Sequence, residues 1–134
     1  MGDLAKLYQI RFSDEARDKK DAVWKVLCES YFQQFIAPSS TVLEIACGYG
    51  EFINNICAGE KIGIDLNPDT VSHLGKDVRF SSLDAMQLAG EFESHADVVF
   101  TSNFLEHLPD KTSLDQLLDQ ILLSLKPGGR YLIL

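Results

Sequence analysis

Apolar positions along the chain change period several times, and each change marks an element. Val23, Trp24, Leu27, Cys28, Tyr31, Phe32 and Phe35 recur at helical spacing. Ser13, followed by Asp14 and Glu15, supplies the start of that helix, with acids at the positive end of its dipole. Pro38 and the serines after it supply the stop. Thr41-Val42-Leu43-Glu44-Ile45 then reads as a short strand. Gly48 and Gly50 follow as a turn, and Phe52, Ile53, Ile56 and Cys57 form a helical stripe that stops at Gly59. Lys61–Asp65 is a second strand, and Asn67-Pro68 begins a helix with Asn as cap. Val78–Ser81 is a third strand. Ala96–Thr101 is a fourth, apolar on both faces as a buried parallel strand should be. Ser113 with Gln116 forms a capping box ahead of an apolar face of Leu114, Leu117, Leu118, Ile121, Leu122 and Leu125. Pro127-Gly128-Gly129 stops that helix, and Arg130–Leu134 is a fifth strand.

Strand and helix alternate throughout, which predicts an α/β fold: a doubly wound, mostly parallel sheet with right-handed crossovers and helices on both faces. Residues 1–40 read as an N-terminal lid and helix, and residues 41–134 as the α/β core. Ligands of such sheets sit beyond the carboxyl ends of the strands. That crevice is where chemistry should be sought, and the residues there are Glu44 to Glu51, Asp65, Asp84 and Asn103. Small residues at Ala46, Gly48 and Gly50 let the backbone approach a ligand closely. Asp65, about twenty residues on, stands where a carboxylate accepts ribose hydroxyls.

The glycine spacing separates two kinds of nucleotide site. A dinucleotide fingerprint wants glycines at 46, 48 and 51. The residues there are Ala46, Gly48 and Glu51, and a glycine falls at 50 instead. Glu51 at the start of the next helix, with Glu44 near it, would oppose a pyrophosphate by roughly 1–4 kcal/mol per close charge pair. The same acids suit a nucleoside carrying an ammonium and a sulfonium.

In that light the motifs can be compared with a family. Val42-Leu43-Glu44-Ile45-Ala46-Cys47-Gly48-Tyr49-Gly50 resembles motif I of class I S-adenosylmethionine-dependent methyltransferases, of the small-molecule type. Gly63–Pro68 resembles their ribose-binding motif, and Ser82-Leu83-Asp84-Ala85 the segment whose acid meets the adenine amino group. Ser102–Leu108 resembles their post-strand-four motif, and Leu125–Arg130 the lead-in to strand five. The match runs in order from Thr41 to Leu134. The resemblance implies a Rossmann-like methyltransferase fold, and an enzyme that moves a methyl group from S-adenosyl-L-methionine to an oxygen, nitrogen or carbon nucleophile.

It places the cofactor on Glu44, Ala46, Cys47, Gly48, Gly50, Asp65, Leu66, Asp84, Ala85 and Asn103. Glu106 and His107 are the candidate catalytic pair, because an imidazole after strand four can take a proton near neutral pH. Hydrogen bonding within the loop is the competing role for both. Asn103 either caps the next turn or faces the transferred methyl. Tyr8, Arg11 and Phe12 fall where family members carry a lid, and Arg11 is either solvated or paired with the cofactor carboxylate. His73 and His95 show no partner pattern and read as surface residues.

Two departures from the family pattern stand out. Ala46 replaces the first glycine of motif I, which is harmless if φ there is negative and costly if it is positive. The family sheet also continues past strand five, so the fold is expected to be C-terminally incomplete. Either the chain is a piece of a longer protein, or a homodimer or other partner covers the strand-five edge.

Charge and cysteine content narrow the partners. With 12 Lys and Arg against 20 Asp and Glu, the net charge is −8, and no basic patch invites nucleic acid. Arg17-Asp18-Lys19-Lys20 reads as a solvated helix face. A small-molecule acceptor is expected. Cys28, Cys47 and Cys57 form neither a disulfide framework nor a zinc pattern, so packed thiols in a reducing cytoplasm are expected, with no metal. No apolar run is long enough to span a bilayer, so no membrane partner is expected. The competing classes are a non-catalytic S-adenosylmethionine-binding or partner-interaction module, and a nicotinamide-linked oxidoreductase.

Overall fold

The computed structural model describes residues 14–134. Tyr8, Arg11, Phe12 and Ser13, and with them the expected lid and helix start, lie outside the described residues. Helix α1 covers Asp14–Ser30 and is followed by a 3₁₀ turn at Phe32–Phe35. Strands β1 (Thr41–Ile45), β2 (Glu60–Asp65), β3 (Val78–Ser82), β4 (Ala96–Thr101) and β5 (Leu125–Ile133) alternate with helices α2 (Leu88–Phe92) and α3 (Lys111–Ser124). Further 3₁₀ turns lie at Pro68–His73, Ala85–Gln87 and Leu105–His107. The sheet order is β3-β2-β1-β4-β5, with every pairing parallel. This is the doubly wound arrangement expected, and the order reverses between β1 and β4, where a crevice opens.

Side chains alternate across the sheet and build a core on each face. Leu43 and Ile45 of β1 join Ile62, Ile64 and Val99 under Leu88, Phe92, Leu117 and Ile121 of α2 and α3. Val42 and Phe100 point the other way, toward Cys28, Phe32, Phe52, Ile53 and Ile56. There the Phe52 and Phe100 rings stack with centroids 3.7 Å apart, and Phe32 meets Phe100 edge-on at 5.2 Å. Asp97 ties the amino ends of three strands together. It accepts the Thr41 amide at 2.8 Å and the Lys126 ammonium at 3.3 Å. The Thr41 amide above all, with Lys126 behind it, holds the Asp97 carboxyl below its ordinary range.

Several elements differ from the pattern-based expectation. The stripe after Gly50 is no regular helix. Asn54 and Ile56 donate to the fourth residue back, but Asn55 donates to the third, so the segment is a string of tight turns. Its apolar spacing satisfies one face of the sheet in either conformation. The cap of α3 is Asp110, which accepts the Ser113 amide at 2.8 Å, so Ser113 lies inside the helix and not at its cap. A carboxylate directly ahead of the first turn serves the exposed amides as well as a hydroxyl does. Strand β5 begins at Leu125, and Pro127-Gly128-Gly129 form an irregularity within it: Ala96 pairs with Leu125, but Val98 pairs with Arg130. Helix α3 is also more apolar than its burial requires, for Leu117 and Ile121 are covered while Leu122 is 70% exposed. Cys28 and Cys47 are packed thiols as expected, pushed up to about 12 by burial, but Cys57 is exposed. His95 is half-buried and bonds Glu60 at 2.7 Å; it is not a partnerless surface residue.

Candidate functional site

At the carboxyl ends of β1 and β2 the chain folds the turn Ala46–Gly50 back over the sheet. Ala46, Gly48 and Gly50 all have positive φ, at 56°, 52° and 77°. At Gly48 an added Cβ would meet nothing within 4 Å, so the backbone there faces open space. At Gly50 a Cβ would lie 2.7 Å from the Asn54 side-chain nitrogen and 2.8 Å from a Leu74 methyl, and φ there is 77°, so any larger residue would strain the turn and displace those side chains. Ala46 has no such freedom. A left-handed L-residue costs about 1–2 kcal/mol, so the costly branch of the sequence expectation holds. Ala46→Gly is expected to raise stability by up to about 1 kcal/mol, after allowing for the greater disorder of glycine in the unfolded chain. Equilibrium urea unfolding measures this, and a lower midpoint would contradict the strain.

Asp65 anchors the turn from the end of β2. One carboxylate oxygen accepts the Gly48 amide at 3.0 Å and the other the Asn67 amide at 2.9 Å. A carboxylate offers about four acceptor positions, so it retains capacity for two hydroxyls. Two clefts flank it. One, of about 120 Å³, is lined by Ile45, Ala46, Ile64, Asp65, Leu66, Leu83, Asp84, Ala85 and Phe104. The other, of about 260 Å³, is lined by Gly48, Tyr49, Asp65, Asn67, Asp69, Thr70 and His73. Asp65 is the residue common to both walls. The smaller cleft has apolar sides and carboxylates at Asp65 and Asp84, which suits a flat aromatic base with an attached sugar.

Asp84 is exposed and caps the turn at Ala85–Gln87 through one oxygen, which accepts the Met86 amide at 2.9 Å. The capping role and a place in the cleft wall therefore coexist. Leu66 is 69% exposed beside Asp65, an apolar surface at the cleft rim. The side chain of Cys47 belongs to the core, and only its backbone belongs to the turn. Glu44 lines neither cleft. It is 5% exposed beneath the turn and accepts the Ile53 amide at 3.1 Å. Burial holds its carboxyl well above the ordinary range. The nearby charges of Glu51 and Asp65 add to that effect, while the Ile53 amide opposes it. Of the three acids expected to converge, Asp65 and Asp84 share a cleft, and Glu44 supports it from below. Glu51 is not a bare charge at the turn, because Lys20 of α1 pairs with it at 3.3 Å.

The segment after β4 is more open. Asn103 has φ 50°, donates its backbone N–H to the Leu134 carbonyl at 3.0 Å and is exposed. The residue at the cap of the next turn is Phe104, with no side-chain cap bond. Glu106 and His107 are exposed on that turn, and the cleft wall ends two residues before Glu106, at Phe104. Sequence reasoning passed over Phe104, Leu83, Ile45 and Ile64 as wall residues. Their signal was their position directly at or after strand ends. No group of three or more His, Cys, Asp or Glu among the described residues is placed to hold a metal.

A family model described as a methyltransferase domain matches residues 43–131 of the chain. Solved structures share the fold. A SAM-dependent methyltransferase from Archaeoglobus fulgidus is 26% identical with a TM-score of 0.66, over 89% of this chain and 54% of that one. The N-methyltransferase NodS from Bradyrhizobium japonicum WM9, in complex with S-adenosyl-l-homocysteine, is 18% identical with a TM-score of 0.66, over 92% of this chain and 63% of that one. A protein from Methanococcus maripaludis described as a putative s-adenosyl-l-methionine-dependent methyltransferase is 16% identical with a TM-score of 0.72, over 90% of this chain and 59% of that one. The chain thus spans little more than half the length of these structures. No curated protein matches it.

Proposed function

The chain belongs to the methyltransferase-domain family, and from that premise we propose that it forms the S-adenosylmethionine-binding core of an enzyme methylating an oxygen, nitrogen or carbon atom of a small molecule. The observation that carries this reading is the position of Asp65, between an apolar cleft and the open backbone of Gly48. The residues present fit the cofactor. Asp65 offers acceptors for the ribose hydroxyls, Leu66 and Phe104 offer apolar faces for the base, and Asp84 has an oxygen left for its amino group. Gly48 leaves room for the methionine end beside the backbone of Ala46, Cys47 and Gly50, and Ala85 lines the base cleft.

When bound, S-adenosylmethionine supplies a methyl group already activated by its sulfonium. The protein is then left to align the acceptor and exclude water. Asn103, at the crossover from β4, stands where the acceptor would approach. Glu106 and His107 orient the acceptor or take its proton where the nucleophile arrives protonated. Their exposure and distance along the chain from the cleft wall favour a second reading, a binding module without catalysis. Turnover with a panel of acceptors decides between them. If the pair is catalytic, Glu106→Ala and His107→Ala lower turnover by about 10²-fold or more at unchanged cofactor affinity. Near-wild-type turnover of both removes them from the mechanism, and no turnover with any acceptor supports the module.

The setting follows from the same features. The acidic balance disfavours nucleic acid, and no helix among the described residues is long and apolar enough to cross a membrane. Thiols without a disulfide among the described residues fit a reducing cytoplasm.

A further inference from the structure

Glu44 is the one carboxylate among the described residues that is buried. Its Oε2 accepts the Ile53 amide, and Oε1 has no hydrogen-bond partner among the described residues. Yet no occluded polar side-chain atom there lacks a partner, so Oε1 reaches accessible space. Among the described residues no cation neutralises Glu44. The turn presents Glu51 and the thiol of Cys47, the end of β2 presents Asp65, and α1 presents the thiol of Cys28. The adjacent residue of β4 is Phe100, with no charge. Lys20 is engaged with Glu51, and the buried ammonium of Lys61 is held by the Ile56 carbonyl at 3.2 Å and by Asp77 at 2.9 Å. Asp21 of α1 accepts from Asn55. Among the described residues the surroundings of Glu44 are therefore acidic or apolar, and its hydrogen bond goes to the segment that follows the glycine turn.

We propose that Glu44 is a neutral carboxylic acid in the ligand-free protein and that binding of the cationic nucleoside ionises it. The O–H bond breaks, the proton passes to the buffer, and the carboxylate left behind holds the Ile53 amide more firmly beneath the turn. This rests on the methyl-donor reading, because it needs a ligand that brings positive charge to the turn. A hydrogen bond to a charged acceptor is roughly twice as strong as a neutral one, so ionisation tightens the turn as the ligand arrives. Glu44 acts here as a positioning residue. The sign follows from linkage. A carboxyl raised in the ligand-free state and lowered by a bound cation makes affinity climb with pH between those two values and level off above the higher one.

Calorimetry of S-adenosylmethionine binding across a pH series, in buffers of different ionisation enthalpy, counts the protons. Release of about one proton per ligand, absent in Glu44→Gln, is the expected result. Because that variant could fail to fold, carboxyl-carbon NMR of the wild-type protein supplies an independent reading. The Glu44 signal should be that of an acid in the ligand-free protein and of a carboxylate in the complex. Binding with no proton release, or one protonation state throughout, overturns this inference and leaves the methyl-donor reading standing. Absence of any binding overturns the methyl-donor reading, and this inference with it.

Discussion

Asp65→Ala is expected to weaken S-adenosylmethionine binding at least tenfold, which is ~1.4 kcal/mol or more. The loss has two sources. Hydrogen bonds from the ribose hydroxyls to a charged acceptor contribute about 1.5–3 kcal/mol each, and alanine removes both. The substitution also releases the Gly48 and Asn67 amides, which Asp65 holds at 3.0 and 2.9 Å, so the turn that should meet the methionine end loses its anchor. Asp65→Asn keeps an acceptor oxygen and should fall between wild type and alanine. Isothermal calorimetry reads all three. Equal affinity in the alanine variant would remove Asp65 from the ribose site.

The largest effect on stability should come from Phe100→Ala. Phe100 is fully buried in β4, stacked on Phe52 and met edge-on by Trp24 and Phe32. Truncation of a phenylalanine so enclosed costs about 3–5 kcal/mol, a large part of the roughly 5–15 kcal/mol that holds a domain folded. The same ring fixes Phe52, two residues beyond Gly50, so the damage should spread to the turn and lower cofactor affinity as well. Phe100→Leu retains most of the volume and should cost far less. Equilibrium urea unfolding gives both values, and a loss below about 1 kcal/mol for alanine would mean the aromatic cluster contributes little beyond ordinary packing.

What the sequence made legible follows from the range over which each feature is determined. Strands β1 and β4 could be placed to the residue because their apolar runs are buried on both faces and bounded by turn residues. Asp65 could be found because its place depends on strand ends and spacing. The conformation of Ala46 could be posed only as a choice, since its sign of φ depends on how the turn lies over β2. The turns after Gly50 were misread as a helix because one apolar stripe serves both conformations. Helix α2 was missed because five residues hold too little of the 3.6-residue period to register. The burial of Glu44 was not visible from the chain, because an acid at a strand end reads the same whether it faces solvent or the underside of a turn.

A charged nucleoside seated across Asp65, between the glycine turn and the wall formed by Leu66, Asp84 and Phe104, is the ligand on which the proposed function turns. Amide NMR of the isotope-labelled chain titrated with S-adenosylmethionine tests this directly. Saturable shifts concentrated at Gly48, Asp65, Leu66, Asp84 and Ala85 are the expected result. Shifts confined to the amino ends of the strands, or no shifts at all, would contradict it.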